Sequence, residues 1–455
     1  MKLTFCGGAR SVTGANYLLE VAGNQYLFEC GLTQGGKFAD EQNYQVFPYS
    51  PKDIKAVFIT HAHIDHIGLL PRLVKEGYGG KIYSTIPTVD LVVPMLEDAL
   101  GLLEEENRSG GGEMLYGEKD LHKCLGMFNG IEYDQETEID GNIKVCFHDA
   151  GHVLGSAIIE VLAKEGRKKR TIVFSGDLGN PPTPLLRPTE YIKGADYILT
   201  ESTYGDRIHE DKKLRKELFE DAIEETIANG GVLMIPAFAL ERTQELLYEL
   251  NELVENKRIP FVPIFIDSPL AIRLTDIYKK YSRYYNDQAK DLLLQGDQIF
   301  SFPGLKFTET SAESRMINDV PSPKVIIAGS GMSNGGRILH HERRYLPDPK
   351  SLLLIISYQT AGSPGRRIFE GEKIVKIFDK PIQVRCKIKA IGGYSAHPDK
   401  NGLMKWLEGF DTHKIKKIFI VQGEEGPALA LLSQVRDNLG IEAMVPYRGD
   451  VVELD

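Results

Sequence analysis

Three imidazoles and a carboxylate fall within six consecutive residues: His61, His63, Asp65 and His66 in the segment THAHIDH, directly after the apolar run AVFI. Alternate residues of an extended segment share one side. His61 and His63 can therefore face one metal ion. Asp65 and His66, where the chain turns toward a helix, can reach a second. Zinc takes imidazole and carboxylate ligands at about 2.0–2.2 Å. Clustering of this kind carries a mechanism that scattered surface histidines do not.

Two further residues sit at comparable strand ends. His152 lies in DAGHVLGS, among glycines that let backbone approach closely. Asp177 lies in FSGDLGN, just past an apolar strand. Alone, a loop His or Asp is more often a turn residue. Beside the cluster they supply what is missing: His152 completes the first metal set, and Asp177 bridges both.

These residues need a scaffold of strands with short exits. Asn16 to Val21, Gln25 to Glu29 and Ala56 to Thr60 read as strands, and a helix follows from Ile67 to Glu76. Strand signals recur at Lys144 to His148, Ala157 to Leu162, Thr171 to Ser175 and Tyr197 to Glu201. After Gly205 the pattern changes. A charged amphipathic helix spans 211–229 and Gly230-Gly231 stops it. The strand VLMIPAF, a helix from Glu241 to Glu255, the strand FVPIFID and a helix from Leu270 to Tyr285 come next. The strands KVIIAG (324–329) and LLLIIS (352–357) follow. This alternation argues for a parallel α/β unit. Short strands return near Cys386, then a helix from Lys400 to Phe410 and the strand KKIFIV (416–421). The simplest organisation is one domain split by an inserted one.

HAHIDH, GHVLGS and SGDLGN resemble the metal motifs of the metallo-β-lactamase superfamily. Three more segments resemble its β-CASP branch: Thr200-Glu201-Ser202-Thr203-Tyr204-Gly205, the glycine-rich Gly329-Ser330-Gly331-Met332 with Gly335-Gly336-Arg337, and Ser395-Ala396-His397-Pro398-Asp399. That branch contains the endonuclease of pre-mRNA cleavage and bacterial and archaeal ribonucleases. The resemblance runs from GARSVTGANYLLE to Val421-Gln422-Gly423-Glu424. It implies an α/β fold, an αββα metallo-β-lactamase sandwich with an inserted α/β β-CASP domain whose parallel sheet is flanked by helices. The implied parts are 1–204 and 376–455 for the metallo-β-lactamase domain and 205–375 for the insertion.

The resemblance also implies a chemistry. Two Zn²⁺ ions would hold a bridging hydroxide for in-line attack on a phosphodiester of single-stranded RNA. His397 matches the general-acid position, and Glu201 would bond its other ring nitrogen and keep it protonated. The catalytic set is thus His397, Glu201 and Asp65. The metal set is His61, His63, Asp65, His66, His152 and Asp177. Ser330, Asn334, Gly335 and Arg337 would meet substrate phosphate, since a glycine-rich turn at a strand end exposes backbone N–H groups. The runs His340-His341-Glu342-Arg343-Arg344 and Gly365-Arg366-Arg367 add positive charge or form a solvated face.

Two positions depart from the family pattern. Glu29 in FECG replaces an Asp and is one methylene longer, a change in how the site is supported. Gln422 replaces a His that binds the second zinc, and an amide oxygen is a poorer zinc ligand than imidazole. Weakened second-site occupancy and lowered activity are expected.

The chain has 455 residues, 54 Lys and Arg against 64 Asp and Glu, and a formal net charge of −10. That excludes a polycationic arm. Residues 301–400 nonetheless carry a local net of +7. Five cysteines with no CxxC pair fit reduced thiols in the cytoplasm. The N-terminus lacks an apolar signal region, and no apolar run reaches the roughly 18 residues of a membrane helix. No membrane partner is expected. RNA is the expected partner, and a homodimer is a candidate assembly. The chain is expected to carry neither an N-terminal KH-type module nor a long C-terminal extension. The leading expectation is a zinc-dependent endoribonuclease. The alternatives are an impaired RNA-binding or scaffold member of the same branch, which Gln422 favours, and a small-molecule metallo-hydrolase, which the β-CASP motifs disfavour.

Overall fold

The computed structural model describes residues 1–35, 41–110, 114–210, 212–357, 359 and 362–455. The chain forms two compact units, one of Met1–Ile208 with Ala396–Asp455 and one of His209–Ser395.

The first unit holds two seven-stranded sheets. One runs Val451–Glu453, Lys2–Gly7, Asn16–Val21, Asn24–Phe28, Ile54–Phe58, Lys81–Thr85, Phe128–Ile131. The other runs Ala443–Met444, Lys417–Ile420, Tyr197–Thr200, Lys168–Phe174, Ala157–Glu165, Ile143–Asp149, Thr137–Glu138. Alternation puts Tyr26 and Phe28 of the first sheet, and Ile172 and Phe174 of the second, into one shared core. The Phe28 and Phe174 rings stack at 3.8 Å. The outer face of the second sheet buries Ile158, Val173, Ile198 and Ile418 under Leu403, Trp406 and Leu407 of helix Lys400–Glu408 and Leu431 of helix Glu425–Gln434. The first sheet is flanked by helix Ile86–Gly110, which packs on strands Lys81–Thr85 and Phe128–Ile131. This is the expected αββα layering.

Each sheet mixes antiparallel and parallel pairs. Strands Asn24–Phe28 and Ile54–Phe58 are parallel. So are Lys168–Phe174, Tyr197–Thr200 and Lys417–Ile420. Parallel neighbours release their C-terminal exits at one edge, and every predicted metal residue of these strands lies just past such an exit.

The second unit is built on a six-stranded sheet in the order Leu305–Phe307, Ile264–Asp267, Lys324–Ala328, Val232–Pro236, Leu352–Ile355, Lys387–Ala390. All its pairings are parallel. The four inner strands are near-continuous apolar runs, buried along their whole length. Helix Lys212–Asn229 opens the unit, and residue 211 of the expected 211–229 helix lies outside the described residues. The Ile374–Ile377/Lys380–Gln383 hairpin straddles the expected boundary at 375/376, and strand Lys387–Ala390 falls past it. Strand Lys387–Ala390 pairs with Leu352–Ile355, so the chain leaves this unit only at Ser395. The short-strand style near Cys386 therefore continues the inserted sheet. Among the described residues, no helix is long and apolar enough to cross a membrane.

Candidate metal centre

The histidine loop leaves strand Ile54–Phe58, and His63 caps the short helix Ile64–Ile67. The helix sets Asp65 and His66 in its first turn, facing back toward the loop. The exit of strand Asn24–Phe28 wraps this helix. Cys30 N–H donates to His66 O at 2.8 Å, Leu32 N–H to Ile64 O at 3.0 Å, and Ala15 N–H to Asp65 O at 3.0 Å. The wrap demands a glycine: a Cβ on Gly31 would lie 1.5 Å from Asp65 O.

Three ring nitrogens converge. His63 Nδ1 is 2.9 Å from His61 Nε2 and 3.3 Å from His152 Nε2. Asp177 Oδ2 lies 3.4 Å from His61 Nε2 and 3.5 Å from His152 Nε2. Four ligands at about 2.0–2.1 Å around a tetrahedral ion stand roughly 3.3 Å apart. The set therefore closes on one ion-sized point. The other Asp177 oxygen, Oδ1, is 3.4 Å from His66 Nε2, and Asp65 Oδ2 is 3.9 Å from the same nitrogen. Asp177 thus offers one oxygen to each group. Gly176, with φ of 53°, lets the chain turn there; a Cβ on it would meet the Thr60 side chain at 2.6 Å.

The rings are held from behind. Thr60 Oγ1 is 3.0 Å from His61 Nδ1. Glu29 accepts from Thr60 N–H at 3.0 Å with one oxygen and places the other 3.3 Å from His66 Nδ1. The longer Glu29 thus reaches a supporting position. Burial, reinforced by neighbouring imidazoles, holds His63 and His152 well below the usual histidine range. Neutral imidazole is the form that binds metal. Burial opposes charge on His66 and Asp177 as well, but their mutual attraction wins: His66 is held well above its ordinary value and Asp177 well below. Burial raises Asp65.

Gln422 sits two residues past strand Lys417–Ile420, buried, with φ of 47°. Its N–H donates to Gly8 O at 2.7 Å, and its carbonyl accepts from Ser202 N–H at 3.3 Å and Thr203 Oγ1 at 3.1 Å. Its side-chain Nε2 donates to Asp177 Oδ1 at 2.7 Å and lies 3.1 Å from His66 Nε2.

His397 stands beside the histidines, its ring 4.7 Å from that of His152. Its Nδ1 lies 3.1 and 3.0 Å from the two Glu201 oxygens. Glu201 is fully buried; its Oε1 also accepts from Leu178 N–H at 2.7 Å. Burial works against a charged His397, yet the Glu201 carboxylate outweighs it and raises the imidazole to about 9.

Ser330, Asn334, Gly335 and Arg337 lie in the other unit, past strand Lys324–Ala328. Ser330 Oγ bonds Asn334 Oδ1, closing the turn. Arg337 is committed to the fold. It donates to Asp267 Oδ1 at 2.7 Å and to the Thr308 and Glu309 carbonyls at 2.8 Å each. Asp267 also accepts from His341, Thr308 and Ser314, and burial notwithstanding these bonds lower it to about 2. His341 and Glu342 are buried, so that run is not a solvated face throughout. Arg366 and Arg367 pair with Glu370 and Glu372.

Comparison with known proteins agrees across the chain. Residues 12–111 match the metallo-beta-lactamase superfamily, 243–368 the Beta-Casp domain, and 381–446 the Zn-dependent metallo-hydrolase RNA specificity domain. Ribonuclease TTHA0252 of Thermus thermophilus is 38% identical over 431 residues, covering 95% of each chain. The chain belongs to the β-CASP ribonuclease branch of the metallo-β-lactamase superfamily. An RNase J-like protein of Methanocaldococcus jannaschii is 31% identical, covering 99% of each β-CASP chain. Transcription termination factor FttA of Methanosarcina mazei is 30% identical over 100% of this chain and 72% of its own. A crystal structure of an Enterococcus faecalis V583 protein of unknown function shares the fold, with a TM-score of 0.55 at 12% identity over 100% of this chain and 99% of that one.

As a β-CASP protein, the chain is a metal-dependent hydrolase. His61, His63, His152 and Asp177 fit a zinc ion by donor type and spacing. Asp65, His66 and Asp177 would fit a second cation in part, and the Gln422 amide lies beside His66 and Asp177. Sequence reasoning did not single out Gly31 or the Asp267 hub. The only signals for them were a glycine beside Cys30 and an Asp ending an apolar strand.

Proposed function

We propose that the protein hydrolyses phosphodiester bonds of single-stranded RNA, endonucleolytically, at a two-ion centre. His61, His63, His152 and Asp177 would hold zinc tightly. Asp65, His66 and Asp177 would hold a second ion more weakly, because Gln422 replaces an imidazole. When bound, the ions supply Lewis-acid activation of the attacking water and of the phosphoryl oxygens.

The residues do the rest. With Nδ1–H bonded to Glu201, His397 keeps Nε2–H for the leaving 3′-oxygen. Glu201, shut away from water, fixes the tautomer and the charge. Asp65 belongs to both the metal and the catalytic sets, set in place by the helix turn that Gly31 braces. Ser330, Asn334 and Gly335 would meet substrate phosphate, and Arg337 would position their turn through Asp267. Free thiols at all five cysteines support a cytoplasmic setting.

The observation that carries this reading is the Glu201–His397 pair standing beside a converged histidine set. The ribonuclease relatives supply the substrate class. Gln422 favours a second reading, an impaired member that binds RNA without cutting it. A labelled single-stranded RNA separates the two. Cleavage that requires added metal supports the enzyme; binding without cleavage at saturating zinc supports the scaffold.

A further inference from the structure

The two halves of the centre differ in donor chemistry. The first offers three imidazole nitrogens and one carboxylate oxygen, from His61, His63, His152 and Asp177. The second offers one imidazole nitrogen, His66 Nε2, and carboxylate oxygens of Asp65 and Asp177. Gln422 adds a carboxamide 3.1 Å from His66 Nε2. Its backbone is pinned at Gly8, Ser202 and Thr203, so this side chain cannot be relocated cheaply.

The Gln422 amide N–H donates to Asp177 Oδ1, the oxygen turned toward the second half. A half-turn about the terminal torsion, which is broad and roughly two-fold, exchanges Nε2 for Oε1. The second half then presents three oxygens and one nitrogen. Imidazole suits zinc, whereas carboxylate, carbonyl and water oxygens suit manganese and magnesium. That half-turn breaks the Gln422–Asp177 hydrogen bond, which makes an ion held there the more exchangeable.

We propose that Gln422 converts the second half into a site for a harder divalent cation of the Mn²⁺ class, beside a zinc ion in the first half. This rests on the two-ion reading above and names what its second position selects. His66 remains its one nitrogen ligand, backed by Glu29 at 3.3 Å. Zinc would still enter the second half in the absence of competitor, but would be displaced there first.

The test is metal partition, read without any activity. Protein stripped with a chelator is re-equilibrated with equal Zn²⁺ and Mn²⁺, desalted and analysed by mass spectrometry for metals and by electron paramagnetic resonance for bound Mn²⁺. The expected wild type carries one zinc and one manganese per chain. In Gln422→His the manganese signal falls at least about tenfold and a second zinc replaces it. Two zinc ions and no manganese in the wild type would overturn the proposal, as would one zinc with no second ion. Failure to bind either metal would sink the metal-centre reading itself. The wild-type partition decides the matter even if Gln422→His folds poorly.

Discussion

His397 Nδ1 lies 3.0 Å from Glu201 Oε2, a carboxylate with no solvent exposure. The pair joins the segment that follows the inserted unit to the strand exit that precedes it, across 196 residues of sequence. Such a contact has no local reason to exist. It sets an imidazole beside the candidate metal centre and gives its Nδ1 a fixed carboxylate partner.

His397→Ala should lower the cleavage rate by roughly 100- to 10,000-fold, the usual range for a general acid. Metal content should stay at the wild-type level, because His397 is outside the converged ligand set. Glu201→Gln keeps the acceptor for Leu178 N–H but loses the charge. His397 is then no longer held at about 9, so protonated His397 is lost at lower pH. The alkaline limb of the rate profile should move down in this variant. Wild-type rates in His397→Ala, or an unmoved limb in Glu201→Gln, would remove the assignment.

Gly31→Ala should cost about 3 kcal/mol or more, since the new methyl would overlap Asp65 O and push on the helix holding Asp65 and His66. Thermal melting and metal content should both fall. A melting temperature within a degree of the wild type, with full metal content, would show that the wrap tolerates a side chain.

Glu342 is buried beneath the glycine-rich turn, accepts from Ser333 Oγ, and is raised by burial to about 8. Its folded value exceeds the unfolded one of about 4.3. Its contribution to stability is therefore full below that value and is lost as pH rises through about 8. The loss is about 1.4 kcal/mol per pH unit at most. Glu342→Gln keeps the acceptor and removes this dependence, so its melting temperature should gain on the wild type between pH 6 and 8.5. Parallel melting curves across that range would contradict the burial argument.

The candidate metal residues were legible because chemistry compressed them into short segments. HAHIDH sits at one strand exit, and His152 and Asp177 lie among glycines at two more. Gln422 was legible as a departure for the same reason. The helix Ile86–Gly110 was not, because Pro94 inside it reads as a break. Strand Lys387–Ala390 pairs with a partner some thirty-five residues upstream, and its sequence carries no mark of which sheet it joins. Arg337 reads as a free basic residue by type; only the fold reveals Asp267, seventy residues away, as its partner.

Cleavage mapping on 5′-labelled single-stranded RNA tests the central claim most directly. It compares metal-loaded wild type, the chelator-stripped protein and His397→Ala. Internal products should form with the loaded protein, vanish on stripping, return with added zinc and manganese, and be strongly reduced in His397→Ala. Cleavage that persists in the stripped protein, or none at all from the loaded one, would contradict a metal-dependent ribonuclease centred on His61, His63, His152 and Asp177.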